Sequence, residues 1–231
     1  MTIAELVGSG LIFASGGYLL GSTPVAWLLT FLLTGRDLRT LGSGNVGVMN
    51  TALSVHRWAG LLVLLAEIAK GVIAVLVPWL LAGEPVIIGA CALGAFIGTR
   101  WPVWLRFHGG RGNTCAAASL VLIAPVAVAA LALVWFGVRW LGLSNFASTR
   151  VMVGALPPVV GLTTLSWWWL AVGVAYVGLF LTTHRPSTDD HLLIGQQFPS
   201  LWAFMTTPPR RRGAGGTGPS EGQASVPRDS G

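Results

Sequence analysis

An all-α, polytopic membrane bundle is the fold class this sequence predicts, and three observations predict it. Of its 231 residues, 53% are hydrophobic and only 10% charged, whereas a soluble domain of this size carries about 25% charged residues. The mean hydropathy is +0.71. Apolar runs long enough to cross a bilayer recur along the chain, and the segments between them hold most of the arginines.

A spanning helix needs roughly 20 mainly apolar residues. Five segments meet that length: 9–33, 58–82, 86–105, 114–141 and 163–183. The first is expected to stay in place as a helix, because Glu5 and no basic residue precedes it, so the charged n-region of a secretory signal is missing. A further apolar stretch, 146–162, contains Pro157 and Pro158 and reads as a short or broken helix. The loops at 35–57 and 100–113 carry Arg36, Arg39, Arg57, Arg100, Arg106 and Arg111, whereas Gly83-Glu84 and the region around 142–146 carry almost none. Positive charge marks the cytoplasmic side. With the basic C-terminus on that side and the N-terminus opposite, the number of crossings is odd, five or seven. Residues 1–205 thus form one membrane domain. From Thr206 the chain turns rich in Pro, Gly, Ser and Arg without apolar periodicity, so 206–231 reads as a disordered cytoplasmic tail.

Other classes are excluded. The net charge of +6 comes with no amphipathic basic helix and no base-stacking aromatic pattern, which argues against nucleic acid. Cys91 and Cys115 sit among apolar and alanine residues and read as packing groups. Trp167-Trp168-Trp169 reads as an aromatic belt at the interface opposite the arginines.

Two polar, glycine-rich stretches carry the chemistry. The first is Gly42-Ser43-Gly44-Asn45-Val46-Gly47 with Asn50; the second is His108-Gly109-Gly110-Arg111-Gly112, followed by Asn113 and Thr114. Glycines let successive backbone N–H groups converge on one point, a geometry suited to phosphate. Arg111 adds a guanidinium fork, and a helix starting near Thr114 would aim its N-terminal N–H groups at the same place. Arg100 and Arg106 read as positive anchors. His108 is equally plausible as a ligand and as a solvated loop residue. After the last apolar run, His184 and Arg185 offer a proton carrier and an anion ligand, with interfacial anchoring as the alternative for both. Glu67 and Lys70, three apart on one helix face, form a pair that locks packing rather than a catalytic couple.

At these residues the chain resembles the bacterial acyl-phosphate:glycerol-3-phosphate acyltransferases, the integral membrane family usually called PlsY. The resemblance covers roughly residues 15–197. It is carried by Gly21-Ser22-Thr23-Pro24, Asp37-Leu38-Arg39, the Gly42 to Asn50 loop, Lys70-Gly71, Trp101-Pro102, Gly109 to Gly112 and His184-Arg185-Pro186, in the family's order and spacing. Leu53, Thr99, His108, Ser187 and the region of Gln197 depart from the family pattern. The resemblance implies a seven-helix bundle in the bacterial inner membrane with its active site facing the cytoplasm. It further implies transfer of an acyl group from acyl phosphate to the 1-hydroxyl of glycerol 3-phosphate, giving lysophosphatidate without metal, cofactor or acyl-CoA. Ser43, Arg111 and His184 are the expected catalytic residues. Gly42, Gly44, Asn45, Gly47, Asn50, His108, Gly109, Gly110, Gly112 and Arg185 are the expected substrate contacts. The alternatives are an inactive or substrate-altered relative that still binds phosphorylated lipid precursors and, ranked last, a small solute transporter, for which only Glu67 and Lys70 supply polar groups at depth.

Overall fold

The computed structural model describes residues 1–182, and every regular element among them is helical. In chain order these are α1 (Ile3–Ser22), α2 (Val25–Thr34), α3 (Val48–Ser54), α4 (Arg57–Leu81), α5 (Pro85–Arg100), α6 (Asn113–Ile123), α7 (Pro125–Trp140), α8 (Asn145–Gly154), α9 (Leu156–Thr164) and α10 (Trp167–Leu181). Single 3₁₀ turns at Leu38–Thr40 and Val103–Leu105 sit in the two arginine-bearing loops. His184, Arg185 and the tail 206–231 lie outside the described residues.

Prolines account for the main departures from the expected spans. The run 9–33 is divided at Pro24, and 114–141 is divided at Pro125, where α6 stops and α7 begins. A proline has no N–H to give and its ring crowds the preceding turn, so hydropathy alone overran the break. Pro157 and Pro158 fall in the first turn of α9, where that missing N–H costs least. The stretch Phe146–Thr164 is therefore long and apolar enough to cross a membrane, as are Ile3–Thr34, Arg57–Leu81 and Pro85–Leu105. Three shorter apolar helices accompany these four. Side chains such as Leu11, Ile12, Leu65, Leu80 and Leu133 are exposed along them, the surface of a protein whose solvent is lipid.

The tightest packing is between α1 and α5, and both carry small residues four apart. A Cβ at Gly17 or Gly21 would overlap the carbonyls of Cys91 and Ala95, and one at Gly94 or Gly98 would overlap those of Ala14 and Tyr18. Backbones that approach this closely gain dispersion where lipid offers no hydrophobic drive between helices. The contacts advance in step along both helices, so α1 and α5 run parallel. On α4, Gly71 lies against Cys115 and Ser119 of α6. The end of α1, the end of α5 and the beginning of α6 consequently gather at one end of the bundle. Trp168 donates to the carbonyl of Pro85 (2.9 Å), the first residue of α5, so the tryptophan run lies at the other end. Gly98→Ala is expected to cost about 1–3 kcal/mol through overpacking. Thermal unfolding in detergent checks this, and an unchanged midpoint would show that the close approach can relax freely.

Candidate active site

The first glycine loop is built around Asn50, which is fully buried. Its Nδ2 donates to the carbonyls of Asn45 (2.9 Å), Leu41 (3.0 Å) and Leu38 (3.4 Å), while Oδ1 accepts from the Ser43 N–H (3.2 Å) and the Ser54 hydroxyl (3.0 Å). Gly42 adopts the left-handed φ of +52°, and a Cβ there would overlap Asn50 Oδ1. Asn50 is thus a scaffold of the loop, and its amide is spent on that task. Other loop donors are also occupied: Gly44 N–H bonds Leu41 O (2.9 Å), Gly47 N–H bonds Asn45 O (3.0 Å) and Asn45 N–H bonds Ser43 Oγ (3.3 Å). The N–H groups of Ser43, Gly44, Asn45 and Gly47 therefore hold the loop's own shape. Asn50→Ala is expected to strand buried carbonyls at about 1–3 kcal/mol each. Limited proteolysis between Leu38 and Ser54 should accelerate; unchanged cleavage would remove Asn50 as the organiser.

Asp37 begins the turn that feeds this loop. Its carboxylate accepts from the Arg39 backbone N–H (2.9 Å) and pairs with the Arg39 guanidinium (2.6 Å). Arg39 in turn donates to Leu105 O (3.4 Å), tying the first loop to the second. The hydrogen bond from Arg39 holds the Asp37 carboxyl below its ordinary value of 3.8. A carboxyl depressed on folding contributes stability above its unfolded pKa and loses it as pH falls through the folded one, so this tie weakens only below about 3.8. Both side chains are about a third exposed, so its contribution is small.

The second loop leans directly on the first. Gly110 has no room for a Cβ beside the carbonyl of Val46, and its own carbonyl accepts from Arg100 (3.4 Å). Arg100 thereby braces the loop. Gly112 takes φ +73° against the Phe96 ring and starts α6. Ala116 is the first residue of that helix to bond back, to Gly112 O (2.9 Å), which leaves the N–H groups of Asn113, Thr114 and Cys115 outside the helical ladder.

A third component comes from the break in α1. Pro24 supplies no N–H, and the carbonyls of Gly21 and Thr23 turn to Lys70, whose Nζ donates to them (3.3 and 2.6 Å) and to Glu67 Oε1 (2.7 Å). Thr99 adds a bond to Gly21 O (3.3 Å). Cations favour the C-terminal end of a helix, and Glu67 balances the buried charge. Glu67 and Lys70 are 8% and 4% exposed.

These three components enclose a cavity of about 280 Å³ walled by Asn45 to Met49, Glu67, Thr99 and Arg111 to Thr114. Of the expected contacts, Asn45, Gly47, Arg111 and Gly112 line it. Gly109 and Gly110 line a narrow crevice beside it, together with Lys70 and the end of α1. Gly42, Ser43, Gly44 and Asn50 stand behind the wall. His108 is exposed, its Nδ1 2.6 Å from the Arg106 carbonyl, and it does not reach the cavity. Asn113 and Thr114, which follow the second glycine stretch in sequence, line it too, whereas Glu67 and Thr99 were not expected there. An ionisable residue inside an apolar run was the available signal for Glu67. Oε2 of Glu67 and Oδ1 of Asn113 are buried with no hydrogen-bond partner among the described residues.

This geometry meets independent findings. Residues 11–192 match the family model described as glycerol-3-phosphate acyltransferase. The chain belongs to the glycerol-3-phosphate acyltransferase family. A glycerol-3-phosphate acyltransferase of Anaeromyxobacter sp. (strain Fw109-5) is 36% identical over 183 residues, 76% of this chain and 89% of that one. Glycerol-3-phosphate acyltransferase 4 of Dehalococcoides mccartyi is 35% identical, over 66% of this chain and 94% of that one. The fold is that of the crystal structure of PlsY (YgiH), an integral membrane glycerol 3-phosphate acyltransferase, in its glycerol 3-phosphate form: TM-score 0.64 and 24% identity, over 81% of this chain and 94% of that one. The protein is thus a multi-pass membrane acyltransferase of this family.

Proposed function

We propose that this acyltransferase moves an acyl group from acyl phosphate to the 1-hydroxyl of glycerol 3-phosphate, in the cavity between its two glycine loops, on the cytoplasmic side of a bacterial cell membrane. The observation that carries the reading is the joining of Arg111 and the open N-terminus of α6 in one small polar cavity at the arginine-rich end of the bundle. Arg111 and the unladdered N–H groups supply a charge-assisted site for phosphate. The cavity suits a small phosphorylated molecule, being at the lower edge of the roughly 300–1,000 Å³ typical of ligand pockets. The glycerol hydroxyl oxygen attacks the acyl carbon, the new ester bond forms, and the bond from acyl carbon to phosphate oxygen breaks with its electron pair staying on phosphate. Arg111 stabilises the charge on that departing group. Phosphate leaves readily, so no covalent enzyme intermediate is needed.

Ser43 supports the wall through Asn45, which gives it a positioning part rather than direct contact. The test is phosphate release by the purified full chain given acyl phosphate and glycerol 3-phosphate, with lysophosphatidate identified by mass spectrometry. Release that depends on glycerol 3-phosphate is the expected result. Binding of glycerol 3-phosphate without turnover would leave a phosphate-binding relative and overturn the enzymatic reading.

A further inference from the structure

The two walls of the cavity belong to two self-braced loops. Asn45 to Met49 form one wall and Arg111 to Thr114 the other. The first wall continues the turn Leu38–Thr40, because Asn50 Nδ2 gathers the carbonyls of Leu38, Leu41 and Asn45, and Gly44, at φ +72°, packs on the Arg39 carbonyl. The second wall continues the segment 99–110. That segment closes on itself through Phe107 N–H to Pro102 O (3.0 Å), His108 N–H to Leu105 O (3.2 Å) and Gly110 N–H to Thr99 O (3.2 Å). The spacing of the walls is therefore the spacing of the loops.

Where the loops meet, Gly110 abuts the Val46 carbonyl, and Leu105 joins Leu38, Leu41 and Val46 in one buried apolar cluster. Apolar contact holds the loops together but has no direction. Arg39 supplies the direction. Its Nε and Nη2 donate to Asp37 (3.0 and 2.6 Å), which fixes the guanidinium plane and presents Nη1 to Leu105 O at 3.4 Å. A lysine ammonium, a point charge on a flexible stem, cannot grip the carboxylate as a fork and reach that carbonyl in a fixed plane.

We propose that Asp37 and Arg39 form a positioning clamp that sets the width of the cavity and, through it, the affinity for glycerol 3-phosphate, a proposal that rests on the acyl-transfer reading above. Arg39 lines no part of the cavity and acts on substrate through the two loops. With the clamp released, Arg111 and the start of α6 no longer face Asn45 to Met49 at the spacing a phosphate needs. Misplacement on the order of 1 Å is enough to cost up to about a hundredfold. The pair is about a third exposed and carries little stability, so position is what it contributes.

The test uses the purified full chain, with kcat and KM for glycerol 3-phosphate from phosphate release, glycerol 3-phosphate binding by calorimetry, and melting temperature in detergent. Loop spacing is read from dipolar broadening between nitroxide labels on Thr40→Cys and Trp104→Cys, exposed positions on the two loops; Cys91 and Cys115 are buried. Arg39→Lys and Asp37→Asn are each expected to raise KM about tenfold or more, with a smaller change in kcat, weaker binding in step and altered broadening. The melting temperature should stay within about 4 °C of the parent's. Combining the two substitutions should add less than about threefold to either, because both release the same contact. An Arg39→Lys KM within about threefold of the parent's would overturn the proposal and leave the loops held by Gly110 and the apolar cluster. A raised KM with unchanged broadening would also overturn it, placing Arg39 in direct contact with substrate. So would a kcat that falls with the melting temperature at constant KM, the mark of a merely structural pair. A parent chain that binds glycerol 3-phosphate but releases no phosphate would overturn the acyl-transfer reading instead, and the clamp would then stand or fall on binding and broadening.

Discussion

Arg111→Ala lowers kcat/KM for glycerol 3-phosphate at least tenfold, while Arg106→Ala leaves it near the parent value. Arg111 lines the cavity between Gly110, pressed on the first loop, and Gly112, the left-handed start of α6. Its position is therefore set from both sides. Arg106 is exposed at the end of the Val103–Leu105 turn and lines no part of the cavity. Removing a charge-assisted contact to phosphate costs about 1.5–3 kcal/mol, a factor of roughly ten to one hundred, whereas an exposed interfacial arginine carries little. The measurement is phosphate release by both variants at matched protein concentration, with melting temperatures recorded for each. Equal rates in the two variants would take Arg111 out of the mechanism.

Lys70→Met alone destabilises the protein by about 3–5 kcal/mol, the usual cost of leaving one member of a buried ion pair uncompensated. Two losses combine at this position. The Glu67 carboxylate keeps its charge without its partner, and the carbonyls of Gly21 and Thr23 lose the donor that satisfies the break in α1. Thermal unfolding in detergent reads the effect. A midpoint equal to the parent's would mean that the end of α1 is held by Thr99 and helix packing, and that the ion pair contributes nothing.

Much of the site was legible before any coordinates. The two glycine stretches and the placement of arginines brought the right segments to one end, because positive charge and chain connectivity are both local properties. Arg111, marked in the sequence by its glycine neighbours, lines the cavity, and the close approach of Gly110 to Val46 of the other loop follows the same small-residue logic. Which N–H groups of the glycine loop are engaged within it was not legible. Asn50 lies within the motif, yet its amide reaches back five to twelve residues to carbonyls that only the folded loop brings together. Glu67 was seen and read as a packing pair, since a helical repeat of three explains its bond to Lys70 and nothing in that repeat reveals the second oxygen. His184 and Arg185 lie beyond the described residues, and their parts in catalysis remain proposals.

Taken by itself, the sequence determined the membrane class, the arginine-rich end and the acyltransferase family, since hydropathy, charge and ordered motifs are read along the chain. The helix breaks at Pro24 and Pro125 were not read from it, since hydropathy windows ran past both and Pro78 sits inside α4 without ending it. The tertiary structure alone decided which polar groups are consumed and which face the cavity. Hydrogen-bond capacity is finite, and whether Ser43, Asn50, Lys70 or Glu67 has any left depends on carbonyls and donors supplied by α1, α3, α5 and the loops at contact distance. Those partners are set by the parallel packing of α1 on α5 and by the seating of α6 against Gly71, which no single segment encodes.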